Sequence, residues 1–208
     1  MIRFSWLLLC AIVYANAANG QSDKIVFRED WKEIKAATPV TQEHVSNPNL
    51  MLTLHGPGKE KIKKSNHPEI PNDPYYIWSG DCLDNWGVSL RHKQYMVDLT
   101  GQAFVAWRSR HSGFRQLRLM LKLADGTWLV SDQYDGASDA WHETRFDIAD
   151  VRWRDLDIAR MVEGKWHEHP DLSRVDEIGF TDLMVGGGTP ASSRLDWIEV
   201  HGKHLERK

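Results

Sequence analysis

The feature that most limits how this chain can fold is a pair of alternating apolar and polar runs near its C-terminus. The first run covers residues 175–185 and the second covers residues 194–202, with a glycine- and proline-containing connection at residues 186–190. β-Branched and aromatic residues in such alternation are typical of half-buried strands, and glycine supplies the positive φ that a turn requires. We therefore predict that residues 194–202 form the closing strand of a β-sandwich and pair with earlier strands.

A second strong signal lies in the middle of the chain. Leucine occupies every second position of residues 117–123, while Arg118, Met120 and Lys122 occupy the alternate positions. An Asp-Gly pair at residues 125–126 is a hairpin signal, and residues 127–130 carry the chain back. This pattern predicts two adjacent antiparallel strands with a leucine face turned toward the core and an arginine-bearing face turned away from it.

The remaining segments extend the all-β pattern. Polar stretches are interpreted as loops: a solvated basic run at 59–64, a long proline-containing loop at 65–74, and two more at 132–140 and 163–170. Helix is expected only in short pieces. We predict an antiparallel β-sandwich, forming a single domain over residues 19–208. Further strands are predicted at 24–27, 49–55, 75–78, 86–90, 103–110, 141–148 and 151–158.

The N-terminal residues 1–18 are interpreted as a signal peptide. Arg3 supplies the positive charge, residues 6–14 are apolar, and Ala-Asn-Ala at 15–17 is a cleavage motif. The apolar run is too short to span a bilayer, and no other run approaches that length. We expect a secreted or periplasmic protein without a transmembrane segment. Removal of Cys10 with the leader leaves Cys82 unpaired, and we predict that it is a buried free thiol.

Charge and composition narrow the choice of ligand. The whole chain has a net charge of −3 and contains ten tryptophans. The near-neutral balance argues against a nucleic-acid partner, which would require a basic excess, and so many tryptophans favour some exposed stacking surfaces. Nucleophile-elbow, phosphate-loop and dinucleotide motifs are all absent from the sequence. Carboxylates that could act as a glycosidase pair are Asp132, Asp135, Glu143 and Asp147.

Arginine and aromatic residues form the better candidate site. Sugar rings stack on aromatic side chains, and guanidinium groups make paired bonds to hydroxyls or carboxylates. A solvated, charged sheet face is the alternative explanation of the same residues. We predict ligand binding by eight residues on or beside the central strands: Arg108, Arg110, His111, Arg115, Arg118, Trp128, Tyr134 and Trp141.

Residues 176–180, residues 195–202 and the hairpin at 115–130 together resemble the galactose-binding-like jelly roll of exported carbohydrate-binding modules. The resemblance implies sugar binding through loops at one edge or through a concave face. It implies no cofactor beyond a structural calcium near the chain termini, for which Glu29, Asp30 and Asp196 are the candidates. A second resemblance is to concanavalin-like sandwiches, which bind or hydrolyse glycans, although this chain has no diagnostic catalytic motif for that group.

Three functions therefore stay open at the level of sequence. The first is an exported, non-catalytic domain that binds a polysaccharide. The most specific version of this hypothesis is that the polysaccharide carries carboxylate or sulfate groups. The second is a glycoside hydrolase or polysaccharide lyase on the same kind of sandwich. The third is a protein-interaction domain of the cell envelope. Fold alone does not decide among them.

The leader generates the first testable prediction. If residues 15–17 are the cleavage motif, export removes the chain up to about Ala17. Intact-mass measurement of the exported protein should then give a mass that corresponds to an N-terminus just after Ala17. An exported form that still begins at Met1 would contradict the prediction.

Overall fold

The computed structural model describes residues 24–184 and 191–207, so the predicted signal peptide and the connection at 186–190 lie outside the described residues. Secondary structure in the described part consists of strands and three 3₁₀ turns, Gln42–His44, Lys59–Lys61 and Ile148–Asp150. No helix in those two ranges is long and apolar enough to cross a membrane. The strands in chain order are β1 (Lys24–Glu29), β2 (Leu50–His55), β3 (Lys63–Ser65), β4 (Tyr76–Trp78), β5 (Trp86–His92), β6 (Tyr95–Asp98), β7 (Phe104–His111), β8 (Leu117–Leu123), β9 (Trp128–Asp135), β10 (Ser138–Asp147), β11 (Trp153–Asp157), β12 (Val162–His167), β13 (Val175–Asp182) and β14 (Ser193–Glu206).

The strands form two antiparallel sheets. In the first sheet β10, β7 and β14 are neighbours, β1 and β4 pair with the other edge of β14, and β3 pairs with β4. In the second sheet the order is β2, β5, β13, β8, β9, β11 and β12. Strand β14 leaves the first sheet and pairs with β6 through Lys203 to Glu206. This arrangement confirms the predicted all-β antiparallel sandwich and its closing strand.

Apolar faces of the two sheets pack together to form the core. All four leucines of β8 are buried, as the alternation predicts, and they lie in one cluster with residues of β7 and β14. Trp107 of the first sheet meets Phe180 of the second edge-on, with ring centroids 6.5 Å apart, and Trp31 meets Phe180 at the same distance. Burial of aromatic and branched side chains on this scale supplies most of the driving force for folding.

The predicted hairpin at residues 115–130 is confirmed. Strands β8 and β9 pair, and Gly126 takes a φ of 92° in the turn between them. Asp125 stabilises the turn because its Oδ1 accepts the backbone N–H of Thr127 at 2.8 Å. A glycine at this position avoids the steric strain that a side chain would meet at positive φ.

The predicted solvated run at 59–64 is wrong at its C-terminal end. Lys59–Lys61 forms a 3₁₀ turn, but Lys64 belongs to β3 and is fully buried. Its ammonium donates to the carbonyl of Ile34 at 2.5 Å and lies 3.7 Å from the ring centroid of Tyr75. Burial lowers the pKa of Lys64 to about 8. The lysine-rich run thus contains one buried lysine, which a carbonyl oxygen and an aromatic ring hold in place.

Two other predicted loops contain strand. β9 continues to Asp135 and β10 begins at Ser138, so most of 132–140 is sheet, and residues 162–167 form β12. The two segments are polar for different reasons. In the first, Asp135 is buried and hydrogen-bonded within the protein, whereas in the second, β12 is an edge strand whose side chains are largely exposed. Strand β6 was not predicted, because its four residues make no sustained alternation.

Cys82 is free and buried, as predicted. Burial raises the pKa of its thiol to about 12, which keeps the sulfur in its unreactive protonated form at neutral pH.

The core predicts the cost of removing a β8 leucine. Leu119→Ala should lower the free energy of unfolding by about 2–5 kcal/mol, because a buried leucine loses its packing and leaves a cavity. Arg145→Ala is the control, since that side chain is 53% exposed on β10, and it should change stability by less than about 0.5 kcal/mol. Urea unfolding monitored by tryptophan fluorescence measures both values, and equal losses would contradict the assignment of faces.

Candidate functional site

The eight residues predicted to bind a ligand occupy three different locations, so no single surface contains them all. Their positions follow from the strand register and from burial. The outer face of the first sheet carries Arg108, Arg110 and Trp141, the outer face of the second sheet carries Arg118, Trp128 and Tyr134, and the interior holds His111 and Arg115.

His111 belongs to a buried polar cluster around Asp135. Its Nε2 lies 3.2 Å from Asp135 Oδ2, while Trp107 Nε1 donates to the same oxygen at 2.7 Å and Ser109 also donates to it. His142 reaches the other oxygen at 2.7 Å. Burial acts to raise the pKa of Asp135, but the hydrogen bonds outweigh it and hold this pKa below its usual range. These bonds tie β9 to β7 and β10 inside the sandwich.

Arg115 and Arg118 also make bonds within the protein. Arg115 pairs with Asp182 at 3.3 Å and donates to the carbonyl of Met184 at 2.6 Å. Arg118 donates to the carbonyl of Ser131 at 2.7 Å and to Glu163 at 2.8 Å, and its side chain is 13% exposed. Their donors are thus largely engaged in holding strands together. Ligand binding by either arginine stays a prediction.

The outer face of the second sheet is covered at its centre. The rings of His55 and Trp128 lie 4.8 Å apart, although three strands separate β2 from β9. Strands are spaced by about 4.8 Å, so this contact requires a strongly curved, concave face. Met161, from the turn after β11, is fully buried above Gly87, and Asn85 holds its carbonyl at 2.9 Å.

A hydrogen-bonded chain lies beneath that cover. Ser89 donates to Glu177 Oε2 at 2.6 Å, His55 Nε2 lies 2.8 Å from Ser89 Oγ, and Lys122 donates to Glu177 Oε1 at 2.8 Å. In a hydrolase triad the imidazole stands between serine and carboxylate and takes the serine proton. Here the serine stands in the middle and is fully buried, so the chain is built for packing and not for nucleophilic attack.

The covered histidine generates a pH prediction. Burial lowers the pKa of His55 to about 4 from an ordinary value of 6.5. Between those values the unfolded state binds more protons at this position, so its contribution to stability falls as pH drops. Urea unfolding at pH 7 and pH 4.5 should show a smaller loss for His55→Gln than for the parent protein. Titration of the carboxylates lowers the free energy of unfolding equally in both proteins. Identical losses of stability between pH 7 and pH 4.5 would therefore contradict the prediction.

The outer face of the first sheet is open, and Trp141 lies across it. The register of β10 against β7 shifts between Ser138 and His142, which is a β-bulge, and bulges commonly redirect a side chain. Trp141 emerges at this bulge and remains partly exposed. Its ring centroid lies 5.5 Å from that of Tyr76 on β4 and 5.3 Å from the guanidinium carbon of Arg108.

Arg108 and Tyr76 are themselves held in place. Arg108 donates to Asp196 of β14 at 2.6 Å and is 35% exposed. Burial raises the pKa of the Tyr76 phenol, while the neighbouring Ser65 and Arg194 act in the opposite direction. The phenol oxygen lies 3.0 Å from His67 Nδ1. An aromatic platform and a positioned guanidinium thus occupy neighbouring places on one open surface.

Other cations on this face stack on aromatic rings as well. The guanidinium carbon of Arg28 lies 4.1 Å from the Trp197 ring centroid, and that of Arg145 lies 3.5 Å from the Phe104 ring. Such cation–π contacts order the side chains of the surface. The face is therefore a set of pre-positioned planar groups, which suits a ligand with planar or ring-shaped units.

The candidate catalytic carboxylates are dispersed. Asp135 is 3% exposed, its two oxygens are hydrogen-bonded to three side chains, and His111 Nε2 lies 3.2 Å from one of them. Asp132 Oδ1 accepts the backbone N–H of Arg152 at 2.9 Å on the second sheet. Glu143 and Asp147 are exposed on β10 of the first sheet. Of these four, Asp135 is inaccessible to a substrate in this conformation.

The calcium candidates all have protein partners. Glu29 is fully buried and accepts the backbone N–H groups of Trp31, Ser46 and Asn47 at 2.7–2.9 Å. Asp30 pairs with an arginine, as does Asp196. Among the described residues, no three His, Cys, Asp or Glu side chains are grouped so that they could hold a metal ion. A structural calcium stays a prediction.

Sequence reasoning missed part of the open face. Trp78, Arg194 and Lys63 were not predicted site residues, nor was Tyr76, which is buried beside Trp141. Alternation places Arg194 on the polar side of its strand. Its neighbours on β4 and β7 depend on strand order and register, which alternation does not reveal.

Comparisons with known proteins give remote structural likenesses. No family model matches the chain, and no curated protein matches it. The chain is similar to a family 11 carbohydrate-binding module from Clostridium thermocellum, solved with a β-1,3-1,4-mixed-linked tetrasaccharide, at 14% identity over 85% of this chain and 100% of that one, with a TM-score of 0.48. It is also similar to a family 30 module from a cellulosomal cellulase of the same organism, at 10% identity over 82% of this chain and 99% of that one, with a TM-score of 0.46.

Both neighbours are carbohydrate-binding modules, the class of protein that the sequence resembles. Because both TM-scores are below 0.5, the fold assignment rests on the strand pairings described above and not on the likeness.

Proposed function

We propose that this chain is an exported carbohydrate-binding domain, and that its binding surface is the outer face of the first sheet. The observation that carries the proposal is the position of Trp141, which a β-bulge places across the open face between Arg108 and Tyr76. Export is supported by the leader pattern at residues 1–18.

The chemistry of these side chains fits a sugar. A pyranose ring presents an apolar C–H face that packs on an indole, while its hydroxyls accept bonds from a guanidinium. Trp141 and Arg108 are both partly exposed, so each retains surface for a ligand. The Asp196 carboxylate and the Tyr76 ring hold their orientation before binding, which reduces the entropy lost when the ligand is bound.

Charge favours a glycan that carries carboxylate or sulfate groups. The whole chain has a net charge of −3, yet arginines of β1, β7 and β14 are concentrated on this face. A neutral sugar would use the aromatic residues and leave without a role Arg110 and Arg194, which have no carboxylate partner within residues 24–184 and 191–207. Guanidinium groups form paired, charge-assisted bonds with oxyanions, and such binding weakens as salt screens the exposed charges.

Binding assays with a matched control test the proposal. The exported protein should be retained by an acidic polysaccharide such as polygalacturonate, and Trp141→Ala should weaken retention at least about tenfold, as truncation of a central aromatic contact commonly does. Trp166→Ala is the control, since Trp166 also packs against an arginine, at 4.0 Å, but lies on the second sheet. Calorimetry with the soluble polymer at two salt concentrations provides the affinities.

The outcomes separate the candidate functions. Retention without new reducing ends or unsaturated products supports a binding domain, whereas either product would identify an enzyme. Failure to bind any member of a panel of acidic and neutral polysaccharides would contradict the proposal and favour a protein partner. Equal losses from Trp141→Ala and Trp166→Ala would contradict the choice of face.

A further inference from the structure

Four side chains form a row across the first sheet. Arg110 of β7 is the direct register partner of Arg194 of β14, Arg194 is the partner of Trp78 of β4, and Trp78 is the partner of Lys63 of β3. Direct partners on neighbouring strands project to the same side of a sheet, so all four lie on the outer face. Arg110 is exposed and the other three are partly exposed.

The cations of this row differ from the other cations on the same face. Arg28, Arg108 and Arg145 each have a carboxylate within 2.6–2.8 Å. Within residues 24–184 and 191–207, neither arginine of the row pairs with a carboxylate, and Lys63 has only the Trp78 ring, 5.3 Å from its ammonium. Among these six described cations, the three of the row are thus the ones without a carboxylate partner.

Placing two arginines in direct register has an energetic cost. Like charges opposite each other on neighbouring strands destabilise a sheet, and direct partners have Cα atoms only about 4.5–5.5 Å apart. Arg194 lies near the Tyr76 phenol and acts to lower the pKa of that phenol, and a neutral neighbour of this kind does not reduce the charge of the arginine. An oxyanion held between the two guanidinium groups would remove the repulsion and accept hydrogen bonds from the N–H donors of both.

We propose that the row from Arg110 to Lys63 is the subsite for the acidic group of the glycan, with the carboxylate or sulfate held between Arg110 and Arg194. Trp78 lies between this pair and Lys63 and offers a ring for the adjoining sugar to stack on. Lys63, two strands from Arg194 and so about 10 Å away, meets a second acidic group. This inference rests on the proposed function and adds to it the chemical group that is recognised and its position.

The experiment compares the double variant Arg110→Gln, Arg194→Gln with the control Arg160→Gln, which removes an exposed cation that pairs with Asp157 in the turn between β11 and β12, on the second sheet and away from the proposed binding face. Polygalacturonate, dextran sulfate and neutral dextran are the probes, measured by calorimetry at low and high salt. The double variant should bind the acidic probes at least about tenfold more weakly, with a shallower salt dependence, and its affinity for dextran should not change. Arg160→Gln should stay within about twofold of the parent protein.

The probes also distinguish the two acidic groups and the two proposals. A larger loss for dextran sulfate than for polygalacturonate identifies sulfate as the preferred group, and the reverse identifies carboxylate. If the double variant binds the acidic probes as tightly as the parent protein while Trp141→Ala binds them more weakly, the proposed subsite is wrong and the proposed binding face is retained. If the parent protein binds none of the polymers, both proposals fall.

A second measurement does not depend on a polymer. Removing one of two opposed like charges should stabilise the free protein, so Arg110→Gln should raise the midpoint of thermal unfolding by about 1–3 °C at low ionic strength. Inorganic sulfate should stabilise the parent protein more than the variant, relative to chloride at equal ionic strength. An unchanged or lower midpoint, together with an equal response to sulfate, would overturn the subsite.

Discussion

The hydrogen-bond ladder of β14 is the interaction on which the rest of this structure depends. This single strand pairs with β7, β1 and β4 in the first sheet and then with β6 in the second, so it joins the two layers near the end of the chain. The same ladder sets the surface chemistry. Its register places Arg194 beside Arg110, and its bulge after Leu195 turns Asp196 toward Arg108.

The two outer faces of the sandwich are used differently. On the concave second sheet, the contact of His55 with Trp128 and the buried Met161 fill the space that curvature creates, and the polar groups beneath them bond to one another. On the first sheet the bulge in β10 sends Trp141 across the surface, and the neighbouring Arg108 and Arg110 stay accessible. The open face therefore offers the uncovered surface that the proposed function requires.

Buried polar groups make this difference possible. Asp135 accepts hydrogen bonds from residues of β7 and β10, which fixes the edge of the first sheet from which Trp141 projects. Glu29 accepts three backbone N–H groups and fixes the start of the chain against the segment at residues 46–47. Each carboxylate is satisfied where it lies, which is the condition under which a buried charge is tolerated.

The sequence by itself determined the all-β class, the leucine face of β8 and the hairpin at Gly126, because period-two alternation and turn chemistry are local properties. It also predicted the burial of Cys82, from the lack of a second cysteine once the leader is removed. It also pointed to Arg108, Arg110 and Trp141, which do lie on one face. Only the tertiary structure showed that His111 and Arg115 are interior, and that Arg110, Arg194, Trp78 and Lys63 form a row. Strand order and register arise from pairings between segments far apart in the chain, so no local pattern contains them.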